Sequence, residues 1–151
     1  MRETTLCYIK KDGCYLMLHR TKKKNDGSFE KWLGVGGKIE PGETPDECIL
    51  RETKEETGLT LTTYSYRGKV NFYSNQWEDE IMYLYTATEY TGEMIDCNEG
   101  NLEWVPLSEI MNLHLWEGDK IFLKLLMEDA PFFELEVHYE GDTLVDHKIL
   151  N

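Results

Sequence analysis

The stretch GKIEPGETPDECILRETKEETGL, residues 37–59, decides how the rest of the sequence is interpreted. Within it, residues 45–57 carry the signals of a helix with fixed ends. Thr44 is the predicted N-cap, and Glu47, three residues later, completes a capping box. Gly58 stands where a left-handed C-cap glycine belongs. The sequence therefore predicts a helix over 45–57 whose side-chain spacing can be trusted.

Three carboxylates share one side of this predicted helix. Glu52, Glu55 and Glu56 are three or four residues apart, and like charges at that spacing repel one another by a few tenths of a kcal/mol. A hard divalent cation with oxygen ligands would offset the repulsion. The alternative is a solvated acidic face that pairs with Arg51 and Lys54.

The segment before the helix is rich in glycine. Residues 34–37, GVGG, allow the backbone to approach a ligand or metal closely. They are not a dinucleotide fingerprint, because Ile39 stands in place of the third glycine, and the P-loop pattern is absent. Arg51 follows Glu43 by eight residues, a spacing that allows a bidentate contact between the turn and the helix.

Charge is distributed unevenly around this region. Residues 20–38 hold six basic and two acidic side chains, and residues 40–56 hold seven acidic and two basic ones. A basic segment that runs into an acidic one is what a site for an anion and a divalent cation needs. The alternative is two solvated surfaces of opposite sign. The basic side chains of the first segment are Arg20, Lys22, Lys23, Lys24, Lys31 and Lys38, and its acidic ones are Asp26 and Glu30.

The whole chain fits one domain over residues 1–151. Hydrophobic residues make up 40%, enough for a core, and the formal net charge of −13 argues against binding to polymeric nucleic acid or to anionic membranes. The sequence has neither a run of about 20 apolar residues nor a signal-peptide pattern. The four cysteines, Cys7, Cys14, Cys48 and Cys97, are far apart, which favours a reducing, cytoplasmic location over disulfides or a zinc cluster.

Strand and helix patterns alternate irregularly along the chain. Turn residues and apolar periodicity predict strands at 4–10, 14–20, 61–74, 80–90, 102–106, 132–139 and 143–150, an extended stretch at 32–39, one or two helical turns at 107–112, and a helix at 117–129. The apolar side of the last helix is predicted to hold Ile121, Phe122, Leu125 and Leu126. This order favours an α+β layered sandwich over a Rossmann-type sheet.

Read together, residues 37–59 resemble the Nudix box, G-x5-E-x7-R-E-U-x-E-E-x-G-U, in which U is a bulky aliphatic residue. Eight of its nine defined positions match in register: Gly37, Glu43, Arg51, Glu52, Glu55, Glu56, Gly58 and Leu59. Thr53 departs from the pattern at an aliphatic position. Because Thr53 is expected to face the sheet, we expect slightly poorer packing there and no loss of chemistry.

The resemblance implies a single-domain α/β/α sandwich with a mixed, curved sheet, and a hydrolase of nucleoside diphosphate derivatives that uses Mg²⁺ or Mn²⁺. Such cations neutralise phosphate charge and acidify a bound water, and a carboxylate takes its proton. Glu52 and Glu56 are then metal ligands, Glu55 is a ligand or the base, and the carbonyl of Gly36 or Gly37 is a further ligand. Glu43 and Arg51 are structural parts of the site, and Lys38, with the basic segment before it, is expected to contact phosphate oxygens.

More of the chain is similar to the MutT-like branch of the family, which hydrolyses oxidised purine nucleoside triphosphates such as 8-oxo-dGTP and so protects DNA. The stretches concerned are 31–38, 98–104, 116–119 and 132–149. From this similarity Glu99 is a further metal ligand or base, Trp116 stacks on the nucleobase, and Asp119 hydrogen-bonds the edge of the base. Thr5, Arg20 and Phe72 would line the pocket. The alternatives are a core aromatic at Trp116 or Phe72, a helix-dipole acid at Asp119 and a plain loop acid at Glu99.

Leu33 departs from this branch, because an asparagine that reads the purine edge is expected there. The leucine side chain can neither donate nor accept a hydrogen bond, so recognition of 8-oxoguanine has to rest on Asp119, backbone groups or stacking, or else the preferred base differs. The alternative functions are therefore hydrolysis of another nucleoside triphosphate or of a dinucleoside polyphosphate, and a nucleotide-binding module without catalysis. Binding modules of this family usually lose box carboxylates, which are retained here. The expected partner is a small nucleotide, and the expected assembly is a monomer or a homodimer.

Overall fold

The computed structural model describes residues 1–21 and 30–150. Over these residues the chain forms eight β-strands, two α-helices and a 3-10 helix at Leu107–Asn112. In chain order they are β1 (Arg2–Lys11), β2 (Cys14–Arg20), β3 (Trp32–Leu33), α1 (Pro45–Thr57), β4 (Thr60–Ser74), β5 (Glu80–Thr91), β6 (Gly100–Pro106), α2 (Glu117–Met127), β7 (Phe133–Glu140) and β8 (Thr143–Leu150). Four positions of the basic segment, Lys22, Lys23, Lys24 and Asp26, lie outside the described residues.

The sheet is mixed because its first hairpin opens soon after the turn. Asp12 and Gly13 both have positive φ, as a tight two-residue turn requires. Only two residue pairs next to this turn join β1 and β2. Beyond them β1 pairs in parallel with β5, whereas β2 pairs antiparallel with β3 and β6. The strand order is β3-β2-β1-β5-β4-β7-β8, and a second parallel pair joins β4 to β7.

The glycine-rich stretch occupies the edge of β1 that β2 leaves open. The backbones of Cys7 and Val35 exchange two hydrogen bonds, and the Thr5 amide donates to the Gly37 carbonyl at 2.9 Å. The approach is so close that a Cβ on Gly36 would lie 2.1 Å from the Thr5 carbonyl oxygen. Glycine is therefore required at position 36 for this stretch to reach β1.

A helix covers each face of the curved sheet. Because side chains alternate along β1, Cys7 and Ile9 pack with Ile49 of α1, while Tyr8 packs with Phe122 of α2 on the other face. The two cores confirm the predicted α+β sandwich with a layer of helix on each side of the sheet. Neither helix of the described segments is long and apolar enough to cross a bilayer.

The structure confirms the predicted elements, with small changes at α2. This helix ends at Met127, not at residue 129, and its fully buried residues include Leu123, whereas Ile121 and Leu125 are only partly buried. Thr53 is fully buried on the sheet side of α1, as predicted. Its hydroxyl has no hydrogen-bond partner among the described residues, which is the cost of a polar side chain at an aliphatic position.

The caps of α1 have the predicted geometry. Thr44 accepts a hydrogen bond from the Glu47 amide, and the Glu47 carboxylate accepts one from the Thr44 amide. At the other end Gly58 has φ +82° and its amide donates to the Lys54 carbonyl. Both ends of the helix are thus fixed by local interactions.

We predict that Gly58→Ala destabilises the protein by about 2–4 kcal/mol, because a Cβ would strain the left-handed backbone and lie 2.5 Å from the Glu93 carbonyl oxygen. Gly42→Ala is the matched control, since Gly42 has φ +80° but no atom within 4 Å of the position that a Cβ would take, and we expect it to cost about 1 kcal/mol. Urea unfolding of both variants measures the difference. Equal losses would show that the contact with Glu93 contributes nothing.

Candidate active site

Arg51 ties the turn before α1 to the helix. Its Nε and Nη2 donate to the two carboxylate oxygens of Glu43 at 2.7 and 3.0 Å, which confirms the predicted bidentate contact. Nη2 also donates to the Lys38 carbonyl at 3.1 Å. The guanidinium and the neighbouring Glu40 amide together lower the pKa of Glu43 to about 2. The turn and the helix therefore behave as one unit.

The same guanidinium faces two further carboxylates of the helix. Nη1 of Arg51 donates to Glu52 at 2.8 Å and to Glu55 at 3.2 Å. Glu52 packs against Gly37, where a Cβ would lie 2.5 Å from the carboxyl carbon. Burial raises the pKa of Glu52, partly against the effect of Arg51. Glu55 is more open, with its side chain 59% exposed.

Glu56 is the buried carboxyl of the group. It accepts a hydrogen bond from the Gly36 amide at 2.8 Å and is only 8% exposed. Burial, followed by its contact with the Glu99 carboxyl, raises the pKa of Glu56 to about 9. Glu99 comes from the loop before β6, and its carboxylate lies 3.6 Å from Nη1 of Arg20. Two elements far apart in sequence thus bring carboxyl groups together.

The chemistry of these donors fits a divalent cation. Glu52, Glu56 and Glu99 are partly or wholly desolvated carboxyl groups that repel one another when charged, and hard oxygen donors are the ligands such cations prefer. Within the segments that the structure describes, however, no three acidic, histidine or cysteine side chains are already placed as a cation cage. Arg51 supplies the positive charge that Glu52 and Glu55 face in the present arrangement.

A cavity of about 580 Å³ extends from this group of carboxyls across the sheet, a size typical of small-molecule sites. It brings together nine of the predicted site residues: Thr5, Arg20, Leu33, Gly36, Gly37, Glu56, Phe72, Trp116 and Asp119. Of the four carboxyl groups Glu52, Glu55, Glu56 and Glu99, Glu56 belongs to the lining. Phe72, which also packs against the core, and Trp116 supply the aromatic walls.

Five predicted residues do not line the cavity: Lys38, Arg51, Glu52, Glu55 and Glu99. Four of them belong to the network of carboxyl groups and Arg51 next to Glu56. Lys38 is exposed, and its carbonyl accepts a hydrogen bond from Arg51. Its contact with phosphate stays a prediction.

Asp119 is a buried carboxyl group in the lining of the cavity. It lies in the first turn of α2, is 4% exposed, and has no side-chain hydrogen-bond partner among the described residues. Burial and, secondarily, the charge of Glu80 raise the pKa of Asp119 to about 8, although Lys31 acts in the opposite direction. At neutral pH the carboxyl is therefore mostly protonated, so it can both donate and accept.

Trp116 is held in place from two sides. The Lys31 ammonium lies 4.5 Å from the centroid of its ring, and the edge of Tyr139 packs against it at 5.3 Å. A cation at this distance from an indole is attracted to the ring face. The indole is thus both a cavity wall and a packed aromatic, so the two sequence interpretations of Trp116 are compatible.

The sequence reasoning missed several lining residues, of which Glu80, Met82 and Tyr139 are the most informative. Glu80 and Met82 are on β5, and Tyr139 is on β7, all on the α2 face of the sheet. A period-two reading of β5 could have placed Glu80 on the same face as Met82. Its position next to Asp119 depends on the parallel pairing of distant strands, which no local pattern reveals.

We predict that Asp119→Asn makes the protein more stable than the wild type at alkaline pH. The pKa of this carboxyl is about 4 in the unfolded chain and about 8 in the folded protein. Its contribution to the free energy of unfolding is therefore fully present below pH 4, falls as the pH rises from 4 to 8, and is lost above pH 8. Asparagine cannot ionise. The melting temperature of the variant, relative to the wild type, should therefore increase from pH 5 to pH 8.5. Asp96→Asn, at an exposed aspartate, is the control. If the difference in melting temperature between Asp119→Asn and the wild type were the same at pH 5 and pH 8.5, the prediction would be contradicted.

Comparison with known proteins gives consistent matches. The sequence model of the NUDIX domain matches residues 2–126. An oxidized purine nucleoside triphosphate hydrolase of Danio rerio is 30% identical over 128 residues, which are 84% of this chain and 82% of that protein. A nucleoside triphosphatase NudI of Salmonella schwarzengrund is 35% identical over 95 residues, which are 56% of this chain and 66% of that protein.

The fold has close counterparts among solved structures. A MutT protein from Bacillus halodurans aligns with a TM-score of 0.87 at 26% identity, over 99% of this chain and 97% of that one. Nudix hydrolases act on small nucleotides and generally use divalent metal ions. Since the matched residues 2–126 include α1, Glu99 and Asp119, the chain belongs to the Nudix hydrolase family.

Proposed function

We propose that this protein hydrolyses purine nucleoside triphosphates, with oxidised bases such as that of 8-oxo-dGTP preferred, to the nucleoside monophosphate and pyrophosphate. The observation that supports this most directly is the continuity of one cavity from Glu56 on the Nudix helix to the aromatic walls and the buried Asp119. A triphosphate at the acidic end would leave its base between Phe72 and Trp116. The name of the Danio rerio relative supports the same substrate class.

We propose Mg²⁺, with Mn²⁺ as a substitute, as the cation that this site uses. Glu52, Glu56 and Glu99 would hold it, together with the Gly36 carbonyl. We favour Gly36 over Gly37 because the Gly37 carbonyl already accepts the Thr5 amide. When bound, the cation supplies positive charge that offsets the charge of the phosphates.

The remaining residues of the box have separate tasks. Arg51 holds Glu52 and Glu55 in place while it anchors the turn through Glu43. Glu55, the most exposed carboxylate beside Arg51, is suited to take a proton from water, because it is open to solvent and oriented by a hydrogen bond from the guanidinium. Arg20, which lines the cavity, is placed to contact a phosphate.

Recognition of the base depends on Asp119 and on stacking, since Leu33 lines the cavity with an apolar side chain. That leucine is also the observation that favours the alternative, a Nudix hydrolase of another nucleoside triphosphate or of a dinucleoside polyphosphate. A binding module without catalysis is disfavoured because Glu43, Glu52, Glu55 and Glu56 are all retained. Cytoplasmic location and a monomeric or homodimeric state stay predictions.

We predict that Glu56→Gln lowers kcat by about 100-fold or more while the melting temperature stays within about 4 °C. Glutamine keeps an acceptor for the Gly36 amide but cannot become the charged carboxylate that a divalent cation needs as a ligand. The rise in melting temperature that Mg²⁺ gives the wild type should also be lost. Glu89→Gln, at an exposed carboxylate on β5, serves as control. Retained turnover in Glu56→Gln would contradict the assigned role.

The substrate is tested by pyrophosphate release, with and without Mg²⁺, from 8-oxo-dGTP, 2-hydroxy-dATP, the normal dNTPs, ADP-ribose and a diadenosine polyphosphate. We expect the highest kcat/KM with oxidised purine triphosphates. A higher kcat/KM with any other compound of this panel would support the alternative.

Leu33→Asn should change the order of kcat/KM values among these compounds, since an amide facing the base is worth about 1–3 kcal/mol of discrimination. Leu33→Met is the control that keeps the surface apolar, and an unchanged ranking in Leu33→Asn would mean that position 33 does not contact the base.

A further inference from the structure

Glu80 is a half-buried carboxylate in the cavity that the proposed function does not use. It is the first residue of β5, where it pairs with Arg2 of β1 on one side and with Phe72 of β4 on the other. Its side chain is 25% exposed and lines the same cavity as Asp119. It therefore lies beside the aromatic wall that would hold the base.

One oxygen of Glu80 is committed and the other is available. Oε2 accepts a hydrogen bond from the Thr4 hydroxyl at 2.6 Å, which fixes the orientation of the carboxylate. Oε1 is 4.0 Å from Nε of Arg2, beyond hydrogen-bond distance, and no other described residue donates to it. Glu80 thus offers the cavity that it lines an oriented carboxylate, with one oxygen to which no described residue donates a hydrogen bond.

The two acids together define a hydrogen-bonding pattern. Asp119, buried and mostly protonated, offers one donor and one acceptor, and Glu80 adds a second acceptor. Leu33 contributes neither. The base that matches this pattern presents one acceptor and two donors along one edge. Guanine does so with its 6-carbonyl, its N1–H and its 2-amino group.

We propose that Glu80 is a specificity-determining residue that accepts a hydrogen bond from the 2-amino group of the base and so selects guanine-type purines. The inference rests on the proposed function for the position of the base. Guanine and 8-oxoguanine share this edge, so the selection applies to both. Hypoxanthine and adenine lack the 2-amino group, and a base of either kind would leave Oε1 of Glu80 desolvated and without a donor.

The comparison of dGTP with dITP isolates this contact, because the two differ only in the 2-amino group. A substrate that donates a hydrogen bond to a carboxylate in a partly buried site is preferred by about 10- to 100-fold over one that lacks the donor. We expect the wild type to show this preference for dGTP in kcat/KM. In Glu80→Ala the preference should fall below about 3-fold, and Glu80→Gln, which keeps an acceptor, should be intermediate.

Glu89→Ala is the matched control, since Glu89 is on the same strand, also accepts a threonine hydroxyl, and does not line the cavity. It should keep the wild-type ratio. Calorimetric titration of dGMP and dIMP repeats the comparison without catalysis. If Glu80→Ala does not fold, the ratio of kcat/KM for dGTP to that for dITP, measured in the wild type and in Glu80→Gln, still tests the contact of Glu80 with the 2-amino group.

A wild type that does not distinguish dGTP from dITP, or an unchanged ratio in Glu80→Ala, would overturn the role of Glu80. Failure of the proposed function gives a different result, because neither dGTP nor dITP would then be hydrolysed. In that case tighter binding of dGMP than of dIMP, lost in Glu80→Ala, would still support the contact. Equal binding of the two would overturn it.

Discussion

The candidate site depends on the close contact between residues 34–38 and strand β1. That contact is available because β2 leaves β1 after two residue pairs, and it is possible because residues 34, 36 and 37 are glycine. It directs the Gly36 amide at Glu56 and leaves room for Glu52 beside Gly37. The positions of the helix carboxylates are therefore set by the sheet edge as much as by the helix itself.

Two kinds of carboxyl group result from this arrangement. Glu43 is held by the guanidinium of Arg51, which lowers the pKa of this carboxyl to about 2. Glu56 and Asp119 are buried, and the pKa of each is raised. The same cavity is thus lined by Glu56, which belongs to the carboxyl groups that fit a cation, and by Asp119, which as a neutral acid can form directional hydrogen bonds.

The sequence was sufficient where the determining interactions are local. The ends of α1, the contact of Arg51 with Glu43 and the hairpin turns depend on residues close in the chain, and all were predicted. Residues such as Asp119 and Trp116 were located through resemblance alone. Glu80 was missed because its place beside the cavity is set by the parallel pairing of β1 with β5, a contact between residues nearly 80 positions apart that no local pattern encodes. The buried Leu123 on α2 was missed because helix periodicity does not fix the width of the buried face.

The parallel pairing of β1 with β5 also affects how the chain can fold. The first strand cannot complete its pairing until residues 80–87 are available, and the cavity further requires Tyr139 on β7. Contacts of such long sequence separation carry a high loop-closure entropy and slow folding. During synthesis, α1 and its caps can form early, whereas the floor of the cavity is completed only after most of the chain has left the ribosome.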